Sequence, residues 1–427
     1  MEKITALAKR RGFVFPASEI YGGLANTYDY GPLGAELKNN IKQLWWKYFV
    51  HWREDMVGLD GNVILNSKVW EASGHLKEFK DLLVECKKCH RRFRPDKLKD
   101  PSKCPECGGP FTQPRLFSGL FKTVIGPIEE EGTVAYLRPE TAQNIFIDFK
   151  NVLSATAKKI PFGIAQMGKC FRNEITAGNF IFRMIEFEIM ELEYFISPKA
   201  DWKKIFEQWL EYIYGFAQLV GLEKKKFYNN ELSKEERAHY SRRTIDIEYQ
   251  FPWGRDELWA IAYRTDYDLS GHQKKSKEDL TYFDEAAKER YIPHVIEPTF
   301  GLDRTFLAVL AESYKEEKER VVLGLVPRLA PYKAAVFPLL ANRPELVNLA
   351  RKVYEDLSRK FYIAWDERGN IGKRYYSQDE IGTPWCITVD FESLKDETVT
   401  IRDRETTKQE RIKIKDVSDF LEKRIEG

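Results

Sequence analysis

Four of the six cysteines in the sequence form two closely spaced pairs. Cys86 and Cys89 make the first CxxC pair, and Cys104 and Cys107 make the second, with fourteen residues between the pairs. Four thiolates at this spacing can surround one Zn²⁺ tetrahedrally. Because four sulfur ligands leave no open coordination position, we expect a structural zinc ion rather than a catalytic one.

A second group of side chains that could do chemistry lies between residues 171 and 191. Phe171-Arg172-Asn173-Glu174 is followed by a short loop, by Arg183 and by residues 186–191. If the two arms are the strands of a hairpin, Arg172 and Glu174 share one face of the first arm. On the second arm, Phe187, Ile189 and Glu191 share one face and Glu188 lies on the other. Arginine binds phosphate and an aromatic ring stacks on a base, so the hairpin suits a nucleotide with a small charged partner. A sheet crossed by salt bridges is the alternative interpretation.

A third stretch runs from Glu297 to Arg304. Read as a strand followed by a helix, it places Glu297, Thr299 and Gly301 on one face and Arg304 in the first helical turn. The start of a helix favours anions, and a glycine there permits close approach of a ligand to the backbone. This stretch is weak evidence alone and stronger together with the hairpin about 125 residues upstream.

The hairpin and the third stretch resemble motifs 2 and 3 of the class II aminoacyl-tRNA synthetases. Residues 30–46, which include Tyr30-Gly31-Pro32-Leu33-Gly34, resemble motif 1, which builds the dimer interface in that family. Within the class, residues 138–143, 187–191 and 297–301 resemble glycyl-tRNA synthetases of the homodimeric type. Residues 371–375 and 379–384 resemble the anticodon-binding domain of those enzymes.

The resemblance implies that glycine and ATP, with Mg²⁺, form glycyl-adenylate and that the glycyl group passes to the 3′ end of tRNA(Gly). It implies catalytic roles for Arg172 and Arg304 at the phosphates, and three carboxylates, on Glu140, Glu191 and Glu297, around the glycine ammonium. The ATP-binding residues that it implies are Arg172, Asn173, Glu174, Phe182, Arg183, Phe187, Glu257, Leu258, Gly301 and Arg304. The glycine-binding residues that it implies are Arg94, Glu140, Phe187, Glu188, Glu191, Glu297, Thr299 and Gly301.

Composition limits the classes of protein to which the chain can belong. With 427 residues, 43% hydrophobic and 31% charged, it can build packed cores, which excludes disordered and collagen-like proteins. The mean hydropathy is −0.49, and no apolar run approaches the ~18 residues of a membrane-spanning helix. The amino terminus carries charges where a signal peptide is apolar, so we expect a cytoplasmic protein.

Because 68 Lys and Arg balance 66 Asp and Glu, any surface that binds nucleic acid must be a local patch.

Patterning along the chain predicts two domains. Residues 1–325 would form an α+β catalytic domain on an antiparallel sheet, the class II synthetase fold, interrupted by a zinc-ribbon-like insertion at 84–115 and a helical insertion at 198–240. A helix is expected from Leu302 to about Arg320. A Pro-punctuated joint then leads to residues 326–427, where alternating strands and helices predict an α/β anticodon-binding domain with a mostly parallel sheet.

Three other functions are consistent with parts of this pattern. Another class IIa synthetase, for threonine, proline, serine or histidine, would need groups for a side chain in place of the glutamates. An inactive synthetase-like nucleic-acid-binding protein would typically lack the motif arginines, whereas Arg172, Arg183 and Arg304 are all present. A non-enzymatic RNA-binding zinc ribbon would explain the cysteines and leave the other motifs unexplained. We therefore expect a glycine–tRNA ligase that acts as a homodimer away from membranes.

Overall fold

The structure is a computed structural model that describes residues 1–95, 98, 100–128, 132–174 and 178–426. Its helices are α1 (Glu2–Arg10), α2 (Pro32–Trp46), α3 (Ser67–Ala72), α4 (His75–Glu78), α5 (Ala142–Thr156), α6 (Trp202–Leu219), α7 (Tyr267–Ser276), α8 (Leu302–Ser313), α9 (Pro344–Ser358), α10 (Ile371–Ile381), α11 (Ser393–Asp396) and α12 (Val417–Glu426). Its strands are β1 (Val14–Pro16), β2 (Tyr28–Tyr30), β3 (Met56–Gly58), β4 (Ile64–Asn66), β5 (Lys80–Glu85), β6 (Arg92–Phe93), β7 (Arg115–Ser118), β8 (Lys122–Ile125), β9 (Thr133–Leu137), β10 (Phe162–Phe171), β11 (Glu186–Ile196), β12 (Phe227–Glu231), β13 (Arg243–Phe251), β14 (Gly254–Thr265), β15 (Tyr282–Asp284), β16 (Glu289–Tyr291), β17 (His294–Gly301), β18 (Tyr314–Glu316), β19 (Val321–Leu323), β20 (Ala334–Pro338), β21 (Ile363–Trp365), β22 (Trp385–Val389), β23 (Thr398–Asp403) and β24 (Gln409–Lys413).

A seven-stranded sheet forms the centre of the amino-terminal part. Its order is β12-β13-β14-β17-β11-β10-β3, and every neighbouring pair is antiparallel except β10 and β3. The expected antiparallel sheet is therefore confirmed. The chain also forms two three-stranded sheets, β4-β9-β8 and β6-β5-β7.

Alternation along β11 assigns the two faces of this sheet. Met190 and Leu192 belong to the large apolar cluster that includes residues of α2, α6 and α8. Phe195, on the opposite face, belongs to a second cluster with residues of α5 and α7. Because side chains alternate along a strand, the glutamates at odd positions of β11 face α5 and α7, and those at even positions face α2 and α8.

The segment 198–240 differs from the expected helical insertion. Only α6 is a regular α-helix there, and its buried residues, Phe206 and Trp209 among them, belong to the main core. Residues 227–231 form the edge strand β12, which pairs with β13. The apolar stripe of α6 thus covers the sheet, and the segment after it extends the sheet because backbone pairing with β13 is available.

Helix α8 is shorter than expected. It ends at Ser313, and the chain continues into a two-stranded hairpin of β18 and β19 instead of reaching Arg320 as a helix. The residues of α8 up to Leu310 are mostly buried against the sheet, whereas residues 315–319 are exposed. The helix therefore ends where the core that stabilises it ends.

The carboxyl-terminal part carries a five-stranded sheet of order β21-β20-β22-β23-β24. Strand β20 is parallel to β21 and β22, while β22-β23 and β23-β24 are antiparallel. The expectation of a mostly parallel sheet is therefore wrong, because the sheet is mixed. The connections from β22 to β24 are too short to hold a crossover helix of the usual length, which forces antiparallel pairing.

Ion pairs join the first helix to the carboxyl-terminal part. Arg10 and Arg11 both bind the carboxylate of Glu380 on α10, and the Arg11 Nε lies 2.6 Å from the Glu380 Oε2. The charges of the two arginines outweigh burial and lower the pKa of Glu380.

In the part of the chain that the structure describes, no helix combines the length and the apolar character needed to cross a lipid bilayer.

Candidate active site

A pocket opens where β17 passes into α8, and its empty space is about 670 Å³. It brings together every predicted ATP-binding residue except Asn173, together with Thr299 and Glu188 from the predicted glycine site. Its lining residues include Arg172, Glu174, Phe182, Arg183, Phe187, Glu188, Glu257, Leu258, Thr299, Gly301 and Arg304. Side chains that are more than a hundred residues apart thus face one space.

The first arm of the hairpin ends earlier than the sequence indicates. Strand β10 ends at Phe171, so Arg172 and Glu174 follow the strand and do not share a strand face. The Arg172 amide still donates to the Ile185 carbonyl at 2.9 Å, and the Asn173 amide donates to the Gly119 carbonyl at 2.9 Å. The chain leaves the sheet here because its backbone partners change from the hairpin to another loop. Residues 175–177 of the expected loop lie outside the described residues.

Arg172 lies beside the ring that is expected to stack on a base. Its Nε donates to the Pro139 carbonyl at 3.1 Å, and its guanidinium carbon lies 5.3 Å from the centre of the Phe187 ring. Phe187 is half-buried and lines the pocket. The Arg172 guanidinium lies over the Phe187 ring, so a fixed positive charge stands beside the aromatic surface that lines the pocket.

Arg304 occupies the first turn of α8, as predicted from the Gly301-Leu302-Asp303-Arg304 sequence. Its Nη1 lies 2.8 Å from the Glu257 carbonyl and 3.0 Å from the Glu257 carboxylate, and its guanidinium lies 4.4 Å from the Phe182 ring centre. Desolvation opposes the charge on Glu257, but the charge of Arg304 outweighs it and lowers the pKa of that carboxyl. The pocket thus presents a held cation beside an ionised carboxylate.

Five acidic side chains lie together on the α5 and α7 face of the sheet, and we call them the carboxylate layer. All five are buried, and Glu193 is completely buried. The members of the layer are Glu140, Glu191, Glu193, Asp268 and Glu297. The layer contains three of the predicted glycine-binding residues. Glu191 accepts hydrogen bonds on its Oε2 from the Thr141 amide at 2.7 Å, the Thr141 hydroxyl and the Ala142 amide.

Arg264 is the cation that holds the carboxylate layer together. It is fully buried, forms two hydrogen bonds to Asp268 at 2.8 and 2.9 Å, and donates to Glu297 at 2.7 Å. Glu140 is bound by Gln143 at 2.9 Å and by His75 at 3.1 Å. Burial opposes ionisation of Glu140, but His75 and Arg264 outweigh it and lower its pKa.

Glu188 does not join the carboxylate layer. It lies on the opposite face of β11, as strand alternation requires, where its carboxylate binds Lys38 and Lys42 of α2, each at 2.7 Å. Lys38 also lies 2.9 Å from Asp303, the neighbour of Arg304 in α8. The structure therefore separates Glu188 from the carboxylates of Glu140, Glu191 and Glu297 and connects it to the helices that support the pocket.

Replacing Lys38 by methionine is expected to lower the free energy of unfolding by about 1–3 kcal/mol, because it leaves the buried Asp303 carboxylate without its cation and removes one of the two ammonium groups that bind Glu188. Although burial opposes it, the charges of Asp303 and Glu188 raise the pKa of Lys38, as expected for a paired ammonium. Lys42→Met is the matched control, since Lys42 is more exposed and binds only Glu188, and it should cost less than about 1 kcal/mol. Urea unfolding of both variants measures the difference, and equal losses would contradict the special role of Lys38.

Arg94 lines a second opening that adjoins the first. This opening is also lined by Phe79, Arg172, Asn173 and Glu174, and its empty space is about 920 Å³. The structure thus brings Arg94, which follows β6, and Asn173, which follows β10, to an opening that shares lining residues with the pocket. Residues 96, 97 and 99 of the expected insertion lie outside the described residues.

The four paired cysteines meet at one point. The sulfur of Cys86 lies 3.4 Å from that of Cys107, the sulfur of Cys89 lies 3.6 Å from that of Cys104, and all four lie within 4.8 Å of one another. Zn–S bonds of about 2.3 Å in a tetrahedron place sulfurs about 3.8 Å apart, so the arrangement is compatible with zinc. The backbone at the second cysteine pair forms a tight turn, in which the Gly108 amide donates to the Cys104 carbonyl at 2.8 Å.

Arg264, Asp268 and Glu193 are site residues that the sequence analysis did not identify. The sequence marks Arg264 and Glu193 only as charged residues that end or interrupt a buried run, and it does not mark Asp268, which is close to the charged residues Arg264 and Asp266. Arg264 ends the apolar strand Leu258–Tyr263, and Glu193 interrupts the buried run of β11. Charged residues are rarely buried unless they are paired, so such interruptions point to a buried polar site.

The sequence matches two family profiles and many curated relatives. Residues 121–314 match the profile described as the tRNA synthetase class II core domain (G, H, P, S and T), and residues 333–424 match the anticodon binding domain. The glycine–tRNA ligases of Thermobifida fusca and Clostridium acetobutylicum are each 50% identical to the chain, over 100% of it and 98% of their own length. That of Geobacillus thermodenitrificans is also 50% identical, over 100% of the chain and 97% of its own length. With a class II core, an anticodon-binding domain and half of all residues shared along its whole length, the chain belongs to the glycine–tRNA ligase family of class II aminoacyl-tRNA synthetases.

Proposed function

We propose that the chain is a glycine–tRNA ligase that forms glycyl-adenylate from glycine and ATP and transfers the glycyl group to the 3′ end of tRNA(Gly). The observation that carries this proposal is the junction of two sites. A pocket with three arginines and an aromatic ring is also lined by Thr299, which pairs with Glu191 of the buried carboxylate layer and lies two residues from Glu297. The first suits a nucleotide triphosphate and the second suits a small ammonium.

The arginines would position the triphosphate. In the first step, a carboxylate oxygen of glycine attacks the α-phosphorus and pyrophosphate leaves. Arg172 would stabilise the charge that develops at the α-phosphate, and Arg183 and Arg304 would hold the outer phosphates. Phe187 would stack on the adenine, while Glu174 accepts from its amino group. Such a reaction needs positioning and neutralised phosphate charge more than a general base.

Glu257 is the residue that would hold Mg²⁺. Its carboxylate lines the pocket beside Arg304 and is ionised, and Mg²⁺ prefers carboxylate and phosphate oxygens. The ion would neutralise phosphate charge when it is bound. Asn173 and Leu258 would complete the ATP site from its two sides, and Gly301 would let the ligand lie against the backbone at the start of α8.

The carboxylate layer would recognise glycine by its ammonium and by its size. Glu140, Glu191 and Glu297 would surround the ammonium, with Thr299 opposite Glu191 on the neighbouring strand. A missing methyl group is worth only about 1–3 kcal/mol through attraction, so steric exclusion in a closed site must reject alanine. Arg94 would approach from the adjoining opening. Glu188 would act through its contacts with α2 rather than on glycine.

The remaining parts of the molecule would serve tRNA binding and assembly. The chain would divide into a catalytic domain of residues 1–325 and a separate domain of residues 326–427. The second domain would read the anticodon. Helix α2 carries motif 1 and would form a homodimer through its outer surface, where Trp46 and Met167 line an open groove. We propose a cytoplasmic location, in keeping with thiols that bind metal rather than form disulfides.

Freshly purified protein is expected to contain about one zinc ion per chain, bound by the four paired cysteines, because closed tetrathiolate sites hold zinc tightly. Elemental analysis measures the ratio. Cys104→Ser should lose the metal, whereas Cys386→Ala, which changes a buried cysteine of the carboxyl-terminal sheet, should keep it. Zinc retained in the first variant, or absent from the unmodified protein, would contradict the proposed site.

The function is tested by ATP–pyrophosphate exchange with the unmodified protein, comparing glycine with alanine, serine, threonine and proline. Exchange stimulated by glycine alone is the expected result, because only glycine places no side-chain atom against the carboxylate layer. Exchange with one of the other amino acids would point to another class IIa synthetase. No exchange with any of them, from folded and zinc-loaded protein, would point to an inactive relative.

A further inference from the structure

Glu193 is the most unusual member of the carboxylate layer. Its side chain is fully buried, and neither of its carboxylate oxygens has a hydrogen-bond partner among the described residues. An ionised carboxylate in this position would be strongly disfavoured, because it would lose its hydration without gaining a donor. The proposed reaction gives this residue no role.

Glu193 faces Glu297 across two neighbouring strands. The pairing of Glu191 with Thr299 and of Tyr194 with Ile296 places Glu193 directly opposite Glu297. Directly opposite residues of an antiparallel pair have Cβ atoms about 4.5–5.5 Å apart on the same face of the sheet. Two carboxyl groups held this close cannot both ionise easily, and such pairs bind a proton.

The donors around the layer show where a proton would reside. Glu191 receives three hydrogen bonds on one oxygen, Glu140 receives two donors, and Asp268 receives a two-point bond from Arg264. Glu140 and Asp268 are therefore matched to donors in their charged form. Glu191 has three donors on one oxygen, although burial and the charge of Glu140 raise its pKa. Glu297 receives one donor from Arg264, and Glu193 receives none from the described residues. The pair of Glu193 and Glu297 is thus the part of the layer that is short of positive charge.

Charged and titratable groups reach this layer from every element around it. Arg264 comes from β14, Asp268 and His272 from α7, Glu140 from the segment before α5, His75 from α4, Tyr240 from the segment before β13, and Cys170 from β10. The single arginine is already shared between Asp268 and Glu297. No other arginine or lysine among the described residues is recorded within salt-bridge distance of the layer.

We propose that the Glu193–Glu297 pair stores a proton while the amino-acid site is empty and releases it to solvent when the ammonium of glycine binds, so that Glu193 is a positioning residue that couples glycine binding to proton release. This inference rests on the proposed function, because it assumes that glycine occupies the carboxylate layer. The ammonium supplies the positive charge that the pair lacks. One proton leaves the pair for each ammonium that enters, and the charge of the layer stays constant.

The pKa values of the two groups agree with this geometry. Burial, and then the charge of Glu297, raises the pKa of Glu193 well above its ordinary value. Burial also raises the pKa of Glu297 to about 8, although Arg264 opposes the shift. Because the ammonium binds the deprotonated pair better, glycine affinity should rise as the pH rises toward that value. The KM for glycine should fall by up to about tenfold per pH unit over this range.

The direct test compares two adenylate analogues that differ only in the ammonium. Glycyl-sulfamoyl-adenosine carries it, and acetyl-sulfamoyl-adenosine has hydrogen in its place. Calorimetric titration near neutral pH, in buffers of different ionisation enthalpy, counts the protons released on binding. The glycyl compound is expected to release about one proton per site more than the acetyl compound.

Glu193→Gln should abolish this difference. Glutamine has the same shape, cannot hold the proton and can donate from its amide to the Glu297 carboxylate. This hydrogen bond favours the charged form of Glu297 and lowers its pKa, so that Glu297 is ionised before the ligand arrives. The KM for glycine should become nearly independent of pH. Glu186→Gln is the matched control, since Glu186 lies on the same strand but is exposed and bound to Lys169, and it should retain the proton release.

Two outcomes would overturn the inference. One is binding of the glycyl compound by unmodified protein without extra proton release, and the other is unchanged release in Glu193→Gln. Either can occur while glycine-dependent exchange is normal, in which case the proposed function stands and the inference fails. Failure of the glycyl compound to bind, with no glycine-dependent exchange, would instead remove the proposed function itself.

Discussion

Arg304→Ala is expected to lower the rate of glycine-dependent ATP–pyrophosphate exchange by about 10²–10³-fold, the usual loss when one preorganised donor is removed from a developing negative charge. Arg304 is held in the first turn of α8 by Glu257 and by the Phe182 ring, so its guanidinium is already in place before ATP binds. Its removal takes away charge at the outer phosphates and also frees Glu257, whose negative charge would then repel ATP. Steady-state exchange at varied ATP concentration measures both effects.

Arg255→Ala is the matched control for Arg304→Ala. Arg255 lies on β14, two residues before Glu257, and its guanidinium stacks on Tyr228 at 3.5 Å, outside the pocket. Exchange should stay within about twofold of the unmodified protein, as for most surface substitutions. If Arg304→Ala were equally mild, Arg304 would have no part in the mechanism.

Arg264→Leu is expected to lower the free energy of unfolding by about 3–5 kcal/mol, because removing one partner of a buried ion cluster leaves uncompensated charge inside the protein. Arg264 is fully buried and is bound to Asp268 and Glu297, with Glu140 3.9 Å away. Leucine fills part of the volume but supplies no donor. Urea unfolding measures the loss, and Arg255→Leu, at an exposed position, should cost less than about 1 kcal/mol.

The destabilisation by Arg264→Leu should depend on pH in a definite direction. Burial already raises the pKa of Glu297 to about 8, against the opposing charge of Arg264. A carboxyl whose pKa is raised by folding stabilises the protein at low pH and loses that contribution as the pH rises through its folded value. Without Arg264 the pKa rises further, so the variant should lose more stability near pH 8 than near pH 6. A loss within about 1 kcal/mol at both values would contradict the role of Arg264 as the cation of the layer.

Local patterns predicted the elements that carry the motifs. Strand alternation placed Phe187, Ile189 and Glu191 on one face of β11 and Glu188 on the other, and the structure confirms both assignments. The same rule conflicted with the prediction that Glu188 binds glycine, and the structure connects Glu188 to α2 instead. The strand-to-helix transition at Gly301 was predicted as well, because it depends only on residues that adjoin in sequence.

Contacts between distant segments could not be predicted in this way. Arg264 binds Asp268 four residues away but also Glu297 and lies near Glu140, which come from two other elements, and no spacing in the sequence connects them. Two other features could not be predicted for the same reason. They are the direction of strand pairing in the carboxyl-terminal sheet and the formation of strand β12. Both depend on which backbone edge is available after folding, and the residues of the segment itself do not contain that information. The roles of the individual site residues stay predictions.

The bond between the first helix and Glu380 has a consequence for how the chain is made. The partner of Arg10 and Arg11 on α10 is translated about 370 residues after them. At about 5–20 residues per second, the amino terminus waits on the order of 20–70 seconds for this contact. The contact with Glu380 therefore forms late in synthesis, whereas the apolar contacts that Ile4, Leu7 and Ala8 make in the amino-terminal core do not depend on it.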